Sequence, residues 1–188
     1  AVLSYICDRE RAITWGIKGG LPSMPQGLWV KRAETGVKEW LGTIFSDMPI
    51  KSGDVFSRPT SGGGGLGDPL ERDPNAVMYD VEHDYVSLER AKKDYGVVLN
   101  VIDIDLAKYE VDMSATIKER QDIASKRHEW LEEDPVAVAK RYKNGEICEL
   151  DMVRRYGVIV DRGTGELMPK STKQFRASMK KRTADYWN

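Results

Sequence analysis

The sequence predicts an α+β fold: a β-rich part with a glycine-rich loop, then a helix-rich part made of two similar helix–helix–hairpin–helix units. Three observations predict it. β-branched and aromatic runs broken by Gly and Pro fill residues 1–70, and helix formers dominate afterwards. The change of composition falls at the tract Gly62-Gly63-Gly64-Gly65-Leu66-Gly67. Beyond it, residues 73–100 realign without a gap on residues 134–161, with seven identities. The expected division is a β-rich segment at 1–70, a first helical unit at 71–132 and a second at 133–188.

The chain opens at Ala1-Val2-Leu3-Ser4-Tyr5-Ile6, which reads as a strand already under way. The first segment is therefore expected to continue a truncated larger domain. Ala12 to Ile17 has strand composition and runs into Gly19-Gly20, with Pro22 and Pro25 as breakers. Leu28-Trp29-Val30 and Val37-Lys38-Glu39-Trp40 flank Glu34-Thr35-Gly36, a hairpin turn in which Gly supplies the positive φ. A further strand is expected from Asp54 to Ser57.

Asp73-Pro74 and Asp134-Pro135 are helix starts, a capping carboxylate followed by Pro at the first helical position. Between them Met113, Ile117, Ala124 and Leu131 fall near one helical stripe, with Thr116, Ile123 and Trp130 beside it, and the stripe reads as core. Tyr95-Gly96-Val97-Val98 realigns with Tyr156-Gly157-Val158-Ile159, so each unit should run as helix, short helix ending at Tyr-Gly, β-hairpin and long helix. The second long helix should contain Phe175, Met179 and Tyr186. Such a duplicated unit more often adds packing surface than chemistry.

Composition bounds function. Of 188 residues 40% are hydrophobic and 31% charged, with a net charge of −1. The whole chain thus carries no electrostatic footprint for nucleic acid. Arg162 to Arg182 holds seven Lys or Arg against one Glu, a pattern of a solvated helix face. The most apolar stretch, Val97 to Ile104, already contains Asn100 and Asp103, far from a membrane span. Cys7 and Cys148 form no CxxC pattern, which points to a reducing cytoplasm.

Candidate chemistry is sparse. Gly62-x-Gly64-x-x-Gly67 formally meets the dinucleotide fingerprint, but four consecutive glycines meet many patterns. Asp68-Pro69 interrupts where a helix should open, and no Gly-Lys-Ser/Thr follows. Gly62, Gly63, Gly64, Gly65 and Gly67 therefore stand as candidates for an anion-contact loop or for close backbone approach. His83 among Asp80, Glu82 and Asp84, and His128 with Glu132, are single imidazoles beside exposed carboxylates rather than ligand sets. Asp103, Asp105, Glu110 and Asp112 alternate along an expected turn with no catalytic pair singled out. Neither Cys7 nor a histidine has the context of a nucleophile and its base. No catalytic residue and no metal ligand is assigned.

One ordered set of motifs carries more. Asp8-Arg9, Trp15-Gly16, Gly19-Gly20-x-Pro22, Gly53-Asp54, the glycine tract through Asp68-Pro69, and Arg72-Asp73-Pro74 occur in that order. Val86-Ser87, Ala91 and Asp94-Tyr95-Gly96-Val97-Val98-Leu99 follow. This series resembles the C-terminal part of the hydantoinase B/oxoprolinase family, over about residues 5–100. Leu66 departs from the aromatic common there, and Glu10-Arg11-Ala12-Ile13 looks like an insert. Members include ATP-dependent hydantoinases, oxoprolinases and the acetone and acetophenone carboxylases. Hydantoinase-type members usually stop soon after Asp-Tyr-Gly-Val-Val-Leu. The long continuation to Asn188 looks like the α subunit of the acetone carboxylases.

The resemblance implies a parent enzyme that joins acetone and bicarbonate into acetoacetate at the expense of ATP, with magnesium and manganese. It places the metal ligands earlier in the α subunit and the ATP site on a partner β subunit, so no catalytic residue carries over and no cofactor is expected in this segment. The expected partners are the other carboxylase subunits and the N-terminal part of the same chain. Two other readings stay open: a piece of a hydantoinase or oxoprolinase hydrolysing a cyclic amide, and a stand-alone module binding an anion or a protein. The segment alone is expected neither to carboxylate acetone nor to hydrolyse ATP. An open strand edge near Ala1–Ile6 is expected to promote self-association.

Overall fold

The computed structural model describes residues 1–8, 14 and 16–187, with side chains described up to residue 180. The fold mixes small antiparallel sheets with six α-helices among these residues. Strands come first. β1 (Val2–Ile6) pairs with β4 (Ile44–Pro49), and β2 (Leu28–Lys31) lies between β3 (Lys38–Gly42) and β5 (Val55–Ser57). The central position of β2 follows from its alternation, because Leu28 and Val30 are buried while Lys31 is exposed. Gly36 takes φ 67° in the β2–β3 turn, a conformation open to glycine at little cost.

One expectation lies partly outside the described residues, one strand was missed, and one helix face needs correction. The strand expected over residues 12–17 lies partly outside the described residues, and Ile17 makes only a single parallel bridge, to Leu66. β4 was not anticipated: Ile44-Phe45-Ser46-Asp47-Met48-Pro49 alternates weakly, and β1 supplies the partner that makes it a strand. In the long helix the buried side chains are Thr116, Ile123 and Leu131, whereas Met113 and Ile117 are half-exposed. The core stripe therefore runs about one position beside the expected one.

After a 3₁₀ turn at Pro69–Glu71 the chain is helical. α1 (Pro74–Glu82), α2 (Leu88–Tyr95), the hairpin of β6 (Leu99–Asp103) with β7 (Lys108–Val111), and α3 (Met113–Glu132) follow in order. Then come α4 (Pro135–Lys143), α5 (Glu149–Arg154) and α6 (Pro169–Trp187). Val77, Val81, Ala91 and Val97 form one apolar core; Val138, Ala139, Met152, Val153, Val158 and Val160 form the other. The side chain of Tyr186 lies outside the described residues.

Local geometry recurs at an offset of 61 residues up to the hairpin and of 56 beyond it. α1 and α4 are both nine residues long, each capped by an Asp carboxylate with Pro in the first turn. Gly96 caps α2 with φ 62°, and Gly157, three residues past the end of α5, takes φ 60°. The Val98 amide donates to Thr116 Oγ1 at 3.0 Å, and the Ile159 amide donates to Thr172 Oγ1 at 3.0 Å. Arg120 Nε donates to the Tyr95 carbonyl at 3.1 Å, and Arg176 Nε to the Tyr156 carbonyl at 2.8 Å. Burial pulls both guanidinium groups below the ordinary arginine value, against nearby carboxylates. Ser87 caps α2 through its hydroxyl, while Cys148, at the matching place in α5, makes no such bond. A thiol is a poor acceptor, and α5 is correspondingly the shorter helix. The second hairpin shrinks to one bridge, Val160 with Leu167.

Candidate functional site

The glycine tract is held by backbone rather than side chains. Ile17 N–H donates to the Gly65 carbonyl at 2.8 Å, Gly65 N–H to Leu21 O at 2.9 Å, and Gly67 N–H to Ile17 O at 2.9 Å. A Cβ on Gly20 would stand 2.0 Å from the Gly65 carbonyl oxygen, so only glycine lets the two segments approach this closely. Gly62 and Gly63 differ, since a Cβ there meets nothing within 4 Å. Ser23 and Ser61, both buried, tie the neighbouring loops: Ser23 Oγ accepts from Thr14 N–H, and Ser61 Oγ accepts from Gln26 Nε2 at 2.7 Å. The amides of Gly65 and Gly67 are thus already spent, and the tract does not present the run of free donors that a nucleotide phosphate requires.

The tract leads into Asp68, which couples the β part to the helices. Its carboxylate caps the 3₁₀ turn through Leu70 N–H and takes both ends of the Arg127 guanidinium, at 2.6 and 2.7 Å. Burial pushes the Asp68 carboxyl up, but the Arg127 fork and the Leu70 amide outweigh it and hold the group below the usual carboxylate value. A second coupling joins the two helical segments. Asp151, buried on α5, accepts from Arg90 at 2.9 Å and from Lys93, both on α2. Burial again opposes ionisation, and the two cations again win, so Asp151 is held low. Arg155 stacks its guanidinium over Trp130 at 4.8 Å and donates to the Lys93 carbonyl.

Two cavities open at this junction. One, of about 100 Å³, is walled by Gly19 to Pro22, Trp130, Leu131 and the charged groups around Asp68 and Lys93. The other, of about 410 Å³, is walled by Gly63, Gly65, Gly67, Tyr95 and Arg72. Arg154 borders both. Of the candidate glycines, Gly63, Gly65 and Gly67 line the second cavity, whereas Gly62 and Gly64 do not. Nothing in the sequence pattern marks Arg154, Arg127 or Asp151. Asp68 lies in one of the family-like motifs, but its partner is 59 residues away and no periodicity links the two.

The other residues weighed from sequence take structural places. His83 Nδ1 lies 2.8 Å from the Tyr79 carbonyl, and the ring stacks on Tyr79. Asp80 pairs with Arg72. Asp103 and Asp112 cap the hairpin turn and α3. Cys7 and Cys148 are both free. Among the described residues no three His, Cys, Asp or Glu gather into a group that could hold a metal. No described helix is long and apolar enough to cross a membrane.

Comparisons with known proteins agree with this architecture. An uncharacterized protein of Methanocaldococcus jannaschii is 32% identical over 120 residues, 63% of this chain and 20% of that protein. A Pseudomonas sp. protein that carries the name of a D-/L-hydantoinase subunit is 28% identical over 96 residues, 51% of this chain and 16% of its own. A solved structure of nucleotide-free acetone carboxylase, described under the mechanism of ATP-dependent acetone carboxylation, shares the fold over 99% of this chain and 27% of that one. The TM-score is 0.53 at 16% identity. The chain therefore spans between a sixth and just over a quarter of the length of these proteins. The family model for hydantoinase B/oxoprolinase matches residues 1–69. Through that β-rich part and its glycine tract, residues 1–69 of the chain are similar to the hydantoinase B/oxoprolinase family.

Proposed function

We propose that the chain is the C-terminal structural and subunit-contact part of an ATP-dependent carboxylase that converts acetone and bicarbonate to acetoacetate in the cytoplasm. The observation that carries this reading is the likeness of fold to acetone carboxylase over 99% of the chain, helical part included. That likeness continues well past residue 69, where the family match ends. In the same reading, ATP, magnesium and manganese act elsewhere in the parent complex. The two helical segments are copies of one unit, a reading supported by the hydrogen bonds repeated at Thr116 and Thr172 and at Arg120 and Arg176.

A scaffold role is supported by how the charges are used. Asp68, Asp151 and Glu149 are each engaged by arginines or lysines from another part of the chain. Exposed apolar side chains are left for neighbours: Ile6 and Ile44 face each other across β1 and β4, and Ile102, Ile104 and Leu106 crown the first hairpin. Such surface suits the other carboxylase subunits and the rest of the parent chain. The experiment is to express the full parent with its partner subunits and measure acetone-dependent ATP consumption and acetoacetate formation. Activity on a hydantoin or 5-oxoproline, with none on acetone, overturns the carboxylase reading. That outcome favours the alternative suggested by the Pseudomonas relative, a cyclic-amide hydrolase.

A further inference from the structure

Among the described residues Arg154 is a cation without a counterion. It makes no hydrogen bond or ion pair with any of them, and its Nε is buried. Its surroundings are otherwise matched: Arg127 takes Asp68, Arg72 takes Asp80, and Arg90 and Lys93 share Asp151. The cause lies in the offset of 61 residues that relates α2 to α5. Lys93 stands where Arg154 stands in the other segment, and Lys93 finds its partner in Asp151. The position matching Asp151 is Arg90, a second cation, so the pairing open to Lys93 has no counterpart for Arg154.

Buried polar groups in folded proteins are almost always satisfied, and a guanidinium is best satisfied by two coplanar oxygens. Arg154 borders both cavities at the junction, and the larger, about 410 Å³, has Gly63, Gly65 and Gly67 in its wall. Glycine leaves this wall without side chains, and a Cβ at Gly63 would meet nothing within 4 Å. Two carboxylates in the same cavity, Asp68 and Asp94, are already taken by Arg127 and Arg90; the third, Glu71, is exposed.

We propose that this junction binds a small oxyanion, a carboxylate or phosphate group gripped by the Arg154 fork against the glycine tract. The site does not depend on which reaction the parent performs. It would couple the β part to α5 by bringing a charge that no described residue supplies.

The test is titration of the 188-residue chain with sodium phosphate and, separately, sodium malonate, against sodium chloride of equal ionic strength. Backbone amide shifts in NMR report the location. Saturable shifts at Gly63, Gly65 and Arg154, with a dissociation constant on the order of 1–10 mM, are expected for at least one anion. The anion that saturates identifies the class, phosphate or carboxylate. Arg154→Gln should weaken binding at least about tenfold, and Arg154→Lys, which keeps the charge but loses the fork, should fall between. Should Arg154→Gln fail to fold, the lysine variant and the shift map still decide. No saturation by either anion, shifts elsewhere in the chain, or undiminished affinity in the variants overturns the proposal.

Discussion

Arg90 and Asp151 are partners at 2.9 Å although they occupy the same place in α2 and α5. The neighbouring charges are reversed as well: Arg90 pairs with Asp94 one turn on, and Asp151 with Arg155 one turn on. Positions that realign at an offset of 61 thus meet with opposite charge.

That inversion can be exchanged. Asp151→Arg places another cation among Arg90, Lys93 and Arg155, and removing one side of a buried pair costs about 3–5 kcal/mol. Because Arg90 is partly exposed, the lower end is expected. The quadruple exchange Arg90→Asp, Asp94→Arg, Asp151→Arg and Arg155→Asp rebuilds the pattern in mirror order and should recover more than half of the loss. Urea unfolding followed by circular dichroism measures both. A quadruple variant no more stable than Asp151→Arg would count against equivalence of the two helices.

Acid should act through Asp68 and Asp151. Both carboxyls sit below their ordinary value in the folded chain, so the unfolded chain binds protons more readily. Their contribution is present above the unfolded value of about 3.9 and is lost as pH falls through the lower folded values. Urea midpoints should therefore hold from neutrality to about pH 5 and drop steeply below about pH 4. In the double variant Asp68→Asn, Asp151→Asn the chain should be weaker at neutral pH and flatter in acid. An equally steep acid limb in that variant would place the acid sensitivity elsewhere.

Glycines should divide by what surrounds them. Gly20→Ala drives a Cβ to 2.0 Å from the Gly65 carbonyl, backbone against backbone, and should cost about 3 kcal/mol or more. Gly63→Ala meets open space and should stay within about 0.5 kcal/mol of the parent. Gly96→Ala and Gly157→Ala share a left-handed backbone and a close Arg side chain, at 2.7 and 2.9 Å. Each should cost about 1–2 kcal/mol or somewhat more, by similar amounts. Thermal denaturation of the four variants checks the ranking, and a costly Gly63→Ala would refute it.

Self-association should follow the β1–β4 face. Ile6 and Ile44 are opposed across the two strands and are 79% and 71% exposed. A two-stranded sheet leaves open edges, and charge on an edge blocks pairing with another chain. Ile6→Lys should lower the sedimentation-average mass at high concentration, whereas Lys170→Gln, far along the chain on α6, should not. Equal mass for the parent and Ile6→Lys would remove this face from consideration.

What was legible in the sequence was what local chemistry dictates. Asp73-Pro74 and Asp134-Pro135 announce helices because the cap and the fixed φ of Pro act within one turn. Tyr95-Gly96 marks the end of α2 because Gly96 is left-handed, whereas α5 stops at Arg154, two residues before Tyr156-Gly157. β4 was hidden because its hydrogen bonds go to β1, some 40 residues earlier, and its own alternation is weak. The core stripe of α3 was misplaced because Arg120 and Arg127, which look like surface residues, lie on the inward side. There their forks reach a Tyr95 carbonyl and a buried Asp68. The junction around Arg154 was invisible for the same reason, since it exists only where distant charges fail to match.

The lock formed by threonine, glycine and arginine has one more consequence. Val98 and Thr116 are joined across 18 positions, Ile159 and Thr172 across 13, and the two bonds have the same length. The two closures are alike although the stretches they span differ by five residues. Lengthening a loop adds closure entropy only logarithmically. The tip at Gly163 to Gly165, beyond the Arg162 that holds Glu149, should therefore accept grafted sequence: a peptide tag or fluorophore loop placed there would ride on a clasp that does not register its size.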